Sequence, residues 1–72
     1  LTDKRRKFLK MICNEPDGLT VSELAEEFST KQNVNQFVGY FESNNLVERV
    51  HEGKSVRIRP TELGRMAANW LI

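Results

Sequence analysis

Residues 20–43 read TVSELAEEFSTKQNVNQFVGYFES, and this stretch decides the fold. Thr20-Val21-Ser22-Glu23 is a capping box: the Thr20 hydroxyl accepts from the Glu23 amide while the Glu23 carboxylate reaches back to the Thr20 amide. Val21, Leu24, Ala25 and Phe28 then fall at i, i+3, i+4 and i+7, one apolar stripe on a helix of about two turns. Ser29-Thr30-Lys31-Gln32 is a second capping signature one residue later, so a sharp turn joins this helix to the next. That next helix spans Lys31 to Ser43 and turns Val34, Phe37, Val38 and Phe41 inward. It ends near Asn44-Asn45, where asparagine tolerates the left-handed conformation that terminates helices.

On the N-terminal side, Thr2 to Asn14 has Phe8, Met11 and Ile12 at helical spacing with Leu9 beside them. Glu15-Pro16-Asp17-Gly18 is a turn, and Leu19-Thr20 leaves room for a stub of extended chain. On the C-terminal side, Leu46 to Val50 and Val56 to Arg59 read as strands joined by a hairpin loop over His51-Glu52-Gly53-Lys54-Ser55. Pro60 closes the second strand and Thr61 caps a last helix, whose apolar stripe is Leu63, Met66, Ala67 and Trp70. The expected domain is mainly α with a small antiparallel β-hairpin, in the order α-β-α-α-β-β-α, a single domain over residues 1–72.

Seventy-two residues with 39% hydrophobic and 29% charged residues suit one small globular domain and exclude disorder and fibrous repeats. The apolar stretches are too short to span a membrane. With one cysteine, Cys13, and one histidine, His51, neither a disulfide framework nor a Cys/His zinc site can be built. Without a signal peptide the default location is intracellular.

The net charge is +1, and its distribution matters more than its total. Residues 4–10 carry five basic side chains, residues 15–27 five acidic ones and no basic one, and residues 49–65 five basic against two acidic. Such a polar chain can still present a basic face to an anionic partner.

Enzymatic readings fail on missing parts. His51 and Cys13 have no evident catalytic partner, the four glycines at 18, 39, 53 and 64 form no phosphate-cradling loop, and the adjacent Glu26 and Glu27 do not face one another on a helix. The expectation is a non-enzyme needing no cofactor and no metal.

Two helices across a very short turn, the second longer and polar-faced, followed by a hairpin, are what a helix-turn-helix with a wing requires. Leu24-Ala25-Glu26, Val34 to Phe41, Asn45-Leu46-Val47-Glu48-Arg49 and Thr61-Glu62-Leu63-Gly64-Arg65 resemble the winged helix-turn-helix domain of MarR-like transcriptional regulators, from about Phe8 to Trp70. The chain departs from that family in three places. It has Asn45 where glycine is usual, Glu52-Gly53-Lys54-Ser55 in place of an acidic-arginine wing signature, and a turn before the third helix about one residue shorter. The resemblance implies sequence-selective binding of double-stranded DNA, with the third helix in the major groove and the wing on the flanking backbone or minor groove.

On a helical projection the third helix exposes Gln32, Gln36, Gly39 and Ser43, flanked by Asn35 and Tyr40. Gln and Asn match the adenine edge, so Gln32, Asn35 and Gln36 are candidate base readers, and Thr30 and Lys31 at the helix start candidate phosphate contacts. Gly39 either admits the DNA backbone or is merely tolerated; Tyr40 either bonds a phosphate or covers the core edge. Lys54, Ser55, Arg57 and Arg59 form a candidate wing patch, and Arg6, Lys7 and Lys10 on the first helix are candidate backbone contacts or ordinary solvated surface. Trp70, with Leu71 and Ile72, either contacts a second copy through the C-terminal helix or fills the domain's own core.

The expected partners are therefore double-stranded DNA and a homodimer mate, acting in the cytoplasm or on the nucleoid of a bacterial or archaeal cell. The competing readings are a winged helix that binds proteins within a larger assembly, and an accessory domain of a replication or DNA-processing protein.

Overall fold

A computed structural model describes residues 3–28 and 30–70. The order is α1 (Asp3–Cys13), β1 (Leu19–Thr20), α2 (Val21–Phe28), α3 (Lys31–Ser43), β2 (Val47–Glu52), β3 (Ser55–Pro60) and α4 (Glu62–Trp70). It is the sequence-derived order, with β1 added to the hairpin as the third strand of an antiparallel sheet, β1-β3-β2.

Each helix starts where the sequence demands. At α2 the Glu23 amide donates to Thr20 Oγ1 (3.1 Å) and the Thr20 amide to Glu23 Oε1 (2.9 Å). These donors hold the Glu23 carboxyl below its ordinary pKa, the Thr20 backbone amide first and its hydroxyl second. At α3 the cap is Thr30, whose hydroxyl accepts from the Asn33 amide; Ser29 lies outside the described residues. Thr61 caps α4 by accepting from the Gly64 amide at 3.0 Å.

The core is built around Phe8. Its ring lies 5.1 Å from those of Phe28 and Phe37 and 5.8 Å from that of Phe41, so all four phenylalanines of the chain join α1, α2 and α3 in one cluster. Leu9, Ile12, Leu24, Val34, Val38, Val47 and Ile58 are buried with it. Gly18 makes β1 possible: it has φ +75°, and a Cβ there would run into the Ile58 carbonyl. Only glycine satisfies both the left-handed backbone and the close approach of β1 to β3.

Asn45, at φ 60°, ends α3 in a Schellman motif. The Leu46 amide reaches the Phe41 carbonyl (2.9 Å) and the Asn45 amide the Glu42 carbonyl (3.0 Å). The same corner receives α4. Thr61 donates its hydroxyl to the Asn45 carbonyl at 2.6 Å and its amide to the Leu46 carbonyl at 3.1 Å, and Gly64 packs against Leu46 so closely that a Cβ would collide with that carbonyl. The Leu46-Val47-Glu48-Arg49 and Thr61-Glu62-Leu63-Gly64 segments are thus two halves of one junction between α3, the sheet and α4.

Two expectations are corrected. The stripe Leu63, Met66, Trp70 does not face the core: these side chains are 51%, 47% and 82% exposed, and α4 instead buries Gly64 and Ala68 with Ala67 partly covered. The approach to Leu46 admits only a face of small residues. Trp70 therefore does not fill the core, and Leu71 and Ile72 lie outside the described residues. The hairpin is also longer than expected. β2 and β3 pair as far as Glu52 and Ser55, so His51 lies on a strand and the turn is Gly53-Lys54. Gly53 supplies the positive φ, 61°, needed at the first central position of a two-residue type II′ turn.

Candidate nucleic-acid interface

The exposed side of α3 carries Lys31, Gln32, Asn35, Gln36 and Ser43, all solvated. Lys31 and Gln32 lie in the first turn after the Thr30 cap, where free backbone amides and the positive helix end favour anions. Gly39 is half-buried, yet a Cβ on it would meet nothing within 4 Å, so no packing inside the domain calls for glycine there. Tyr40 lies at the core edge with 37% exposure, its ring against Phe41 and under the Arg5 guanidinium, which sits 4.0 Å from the ring centre.

Two depressions flank this face. The first, about 220 Å³, lies between the start of α2, α3 and the wing, and brings Ser22, Lys31, Asn35, Arg49, Lys54 and Ser55 together. The second, about 380 Å³, lies between α1 and the α2–α3 unit, with Lys4, Arg5 and Lys7 on its rim, Asn33 and Gln36 on the α3 side and the Phe28 and Phe37 rings at its base. Lys7 pairs with Glu27 at 2.9 Å, both ends well exposed, so this ion pair is weak and exchangeable. Among the described residues no carboxylate pairs with Lys4, Lys31 or Lys54.

The wing residues named from sequence do not form one patch. Lys54 and Ser55 line the depression beside α3, whereas Arg57 and Arg59 line another, about 320 Å³, with Asp17 and Glu52. Strand alternation accounts for the split: Ile58 is buried between them, so Arg57 and Arg59 occupy the outer sheet face. Arg57 Nε is bonded to Glu52 Oε1 at 2.8 Å, which raises the guanidinium pKa and offsets its charge. The first helix divides likewise. Lys7 borders the α3 face, but Lys10 lines a depression with Cys13, Arg65 and Asn69 beside α4, and Arg6 is exposed on α1.

One residue of the α3 depression escaped the sequence reading. Arg49 pairs with Ile58 across the sheet and so shares its inward face. There it donates from Nε to Glu42 Oε1 (3.2 Å) and from Nη1 to Asn35 Oδ1 (3.3 Å). The alternation Val47, Glu48, Arg49 carried the signal, since Arg49 falls in phase with a core valine.

The other chemically interesting groups stand apart. Cys13 is half-buried with its Sγ 3.7 Å from the Gly64 carbonyl; burial raises its thiol pKa, with Arg65 opposing. Among the described residues no group of three or more His, Cys, Asp or Glu side chains could hold a metal ion, and no helix is long and apolar enough to cross a membrane.

No protein-family profile matches the chain, and no curated protein sequence matches it. Solved structures do. A MarR-family transcriptional regulator from Rhodococcus sp. RHA1 superposes with TM-score 0.89 at 21% identity over 96% of this chain and 51% of its own. A MarR family protein from Bacillus stearothermophilus gives 0.83 at 30% identity over 99% of this chain and 51% of its own. Streptococcus pneumoniae FabT, solved in complex with DNA, gives 0.86 at 23% identity over 99% and 52%. The chain spans about half the length of these three proteins. It has the winged helix-turn-helix fold and is similar to MarR-family transcriptional regulators.

Proposed function

We propose that this domain binds double-stranded DNA sequence-selectively, as a transcriptional regulator or the DNA-binding module of one, acting in the cytoplasm. The observation that carries the reading is the α3 face. Its amide side chains Gln32, Asn35 and Gln36 are exposed and nearly uncharged, while Lys31, Lys54 and Ser55 on one side and Lys4 and Lys7 on the other form cationic or hydroxyl borders. This division of labour suits a major-groove reader: amides for base edges in the middle, cations for the two phosphate backbones at the margins. FabT, with the same fold, was solved with DNA, which supports the reading.

Thr30, Lys31 and the α3 N-terminus then meet phosphate, and Gln32, Asn35 and Gln36 meet base edges. Gly39, with open space above it, admits the backbone closely. Lys54 and Ser55 follow the adjacent backbone or minor groove, with Lys7 on the opposite flank. Arg57, Arg59, Arg6 and Lys10 contribute long-range attraction. Tyr40 packs the core edge and keeps only its hydroxyl for phosphate.

A chain of net charge +1 binds weakly as one copy, and two copies on a two-fold site supply the missing affinity. The exposed α4 stripe Leu63, Met66 and Trp70 offers the self-complementary surface for that mate. A titration against random duplex pools at two salt concentrations tests the DNA reading. Saturable binding that weakens as salt rises is expected, with each neutralised phosphate adding about 0.9 to the logarithmic slope. No saturable binding at low salt overturns it.

A further inference from the structure

Asn35 does not stand free in the reading face. Its Oδ1 accepts from Arg49 Nη1 at 3.3 Å, and Arg49 is itself held by Glu42 through Nε at 3.2 Å. A guanidinium can only donate, so the amide atom facing it is the oxygen and the assignment of Oδ1 and Nδ2 follows from the chemistry. Asn35 and Glu42 lie two turns apart on α3, and Arg49 crosses from β2 between them. The side chain of Arg49 is 30% exposed and that of Glu42 45%, so each bond alone is modest, but together they restrict both the guanidinium and the amide. Among the described residues no acceptor takes Asn35 Nδ2.

We propose that Arg49, anchored by Glu42, is a positioning residue that turns the Asn35 amide so that Nδ2 is presented to DNA, making Asn35 a donor that selects guanine. The inference rests on the DNA-binding reading above. The bidentate adenine contact needs the amide oxygen to accept from N6 and the nitrogen to donate to N7. Oδ1 has a second lone pair, but the bond to Arg49 sets the plane of the amide, and in the proposed orientation that lone pair points away from adenine N6, so the first bond of the adenine pair is weakened. The acceptor-only guanine edge, N7 and O6, still receives donation from Nδ2. Gln32 and Gln36, without such a tether, keep both halves of their amides for adenine.

Selection of bound duplexes from a randomised pool tests this, using the wild-type chain, Arg49→Met, Glu42→Ala, Asn35→Ala and the Arg49→Met/Asn35→Ala double variant, with thermal melting to verify folding. The wild type is expected to enrich guanine at one position, and Asn35→Ala to lose that preference. In Arg49→Met the preference at that position should move toward adenine by about three- to tenfold, the weight of one hydrogen bond, with other positions unchanged. Glu42→Ala leaves Asn35 and the guanidinium in place, and is expected to shift the same position in the same direction by less. The double variant should match Asn35→Ala.

Retention of guanine by a folded Arg49→Met, or adenine enrichment at the Asn35 position by the wild type, overturns the proposal while leaving DNA binding intact. If Arg49→Met does not fold, Glu42→Ala decides by the same criterion. Absence of any selective binding by the wild type overturns the underlying reading and this inference with it.

Discussion

Helices α3 and α4 begin alike, each on a threonine whose hydroxyl accepts from the amide three residues on, and then distribute their side chains in opposite ways. α3 buries Val34, Val38 and Phe41 and exposes amides; α4 buries Gly64 and Ala68 and exposes Leu63, Met66 and Trp70. The difference is set by distance to the neighbour. α3 faces the phenylalanine cluster across a gap that large side chains fill, whereas α4 rests its backbone on the Leu46 carbonyl. Where helix and neighbour meet through backbone, the small residues are the contact and the large ones are left over.

Truncating the buried ring of α3 gives the largest effect. Phe41→Ala should cost about 3–5 kcal/mol, measured by denaturant unfolding, much of the roughly 4–11 kcal/mol available to a chain this size. A cost under 1 kcal/mol would mean that α3 is not wedged as described. The two helical glycines sharpen the contrast further. Helix propensity alone favours alanine over glycine by about 1 kcal/mol at both sites. Gly39→Ala, with nothing within 4 Å, should realise that gain; Gly64→Ala drives a methyl into the Leu46 carbonyl and should lose about 1–3 kcal/mol from overpacking. Equal signs at the two positions would break the comparison.

This pair also shows why one helix was legible in the sequence and the other was not. Both helices have apolar residues at helical spacing. In α3 the large ones and the buried ones coincide, so periodicity alone identified the inward face and, by subtraction, the exposed amide face. In α4 two stripes compete, Leu63-Met66-Trp70 and Gly64-Ala67-Ala68, and hydropathy favours the first. Only the position of the Leu46 carbonyl chooses the second, and that depends on the Schellman corner at Asn45, seventeen residues before α4 begins. Caps, turns and the strand order were local and readable. The division of the wing was half readable: alternation separates Arg57 from Ile58, but its turn length decides whether His51 belongs to a strand, and the role of Arg49 needs the sheet placed beside α3.

If α3's outward face serves binding alone, its substitutions should leave folding untouched. Gln36→Ala is expected to weaken binding to the selected duplex by about 1–3 kcal/mol while its stability changes by less than about 0.5 kcal/mol. An unchanged footprint would remove Gln36 from the readers. The caps should differ for a countable reason. The Thr30 hydroxyl makes one hydrogen bond, accepting from the Asn33 amide, whereas the Thr61 hydroxyl both accepts from the Gly64 amide and donates to the Asn45 carbonyl. Thr30→Ala should cost about 1 kcal/mol and Thr61→Ala about 2 kcal/mol, compared by thermal or denaturant melts. Equality would mean that the Thr61–Asn45 bond adds nothing to the corner.

The smallest effect on the monomer is expected where the side chains are largest. Trp70 is 82% exposed and Leu63 and Met66 about half exposed, so Leu63→Gln, Met66→Gln and Trp70→Gln should each change monomer stability by less than about 0.5 kcal/mol, the opposite of Phe41→Ala. On the proposed dimer reading their consequence lies in association. Three large apolar groups at i, i+3 and i+7 on one helix stay solvated at a cost set by their apolar area, and pairing two such faces about a two-fold axis removes both from water. Sedimentation across a concentration series should therefore show a dimer for the wild type and a monomer for the triple variant, with binding to a two-fold duplex weakened and binding to a single half-site unaltered. A wild type that remains monomeric at high concentration would overturn the α4 mate, and would leave α3's reading face to work one copy at a time.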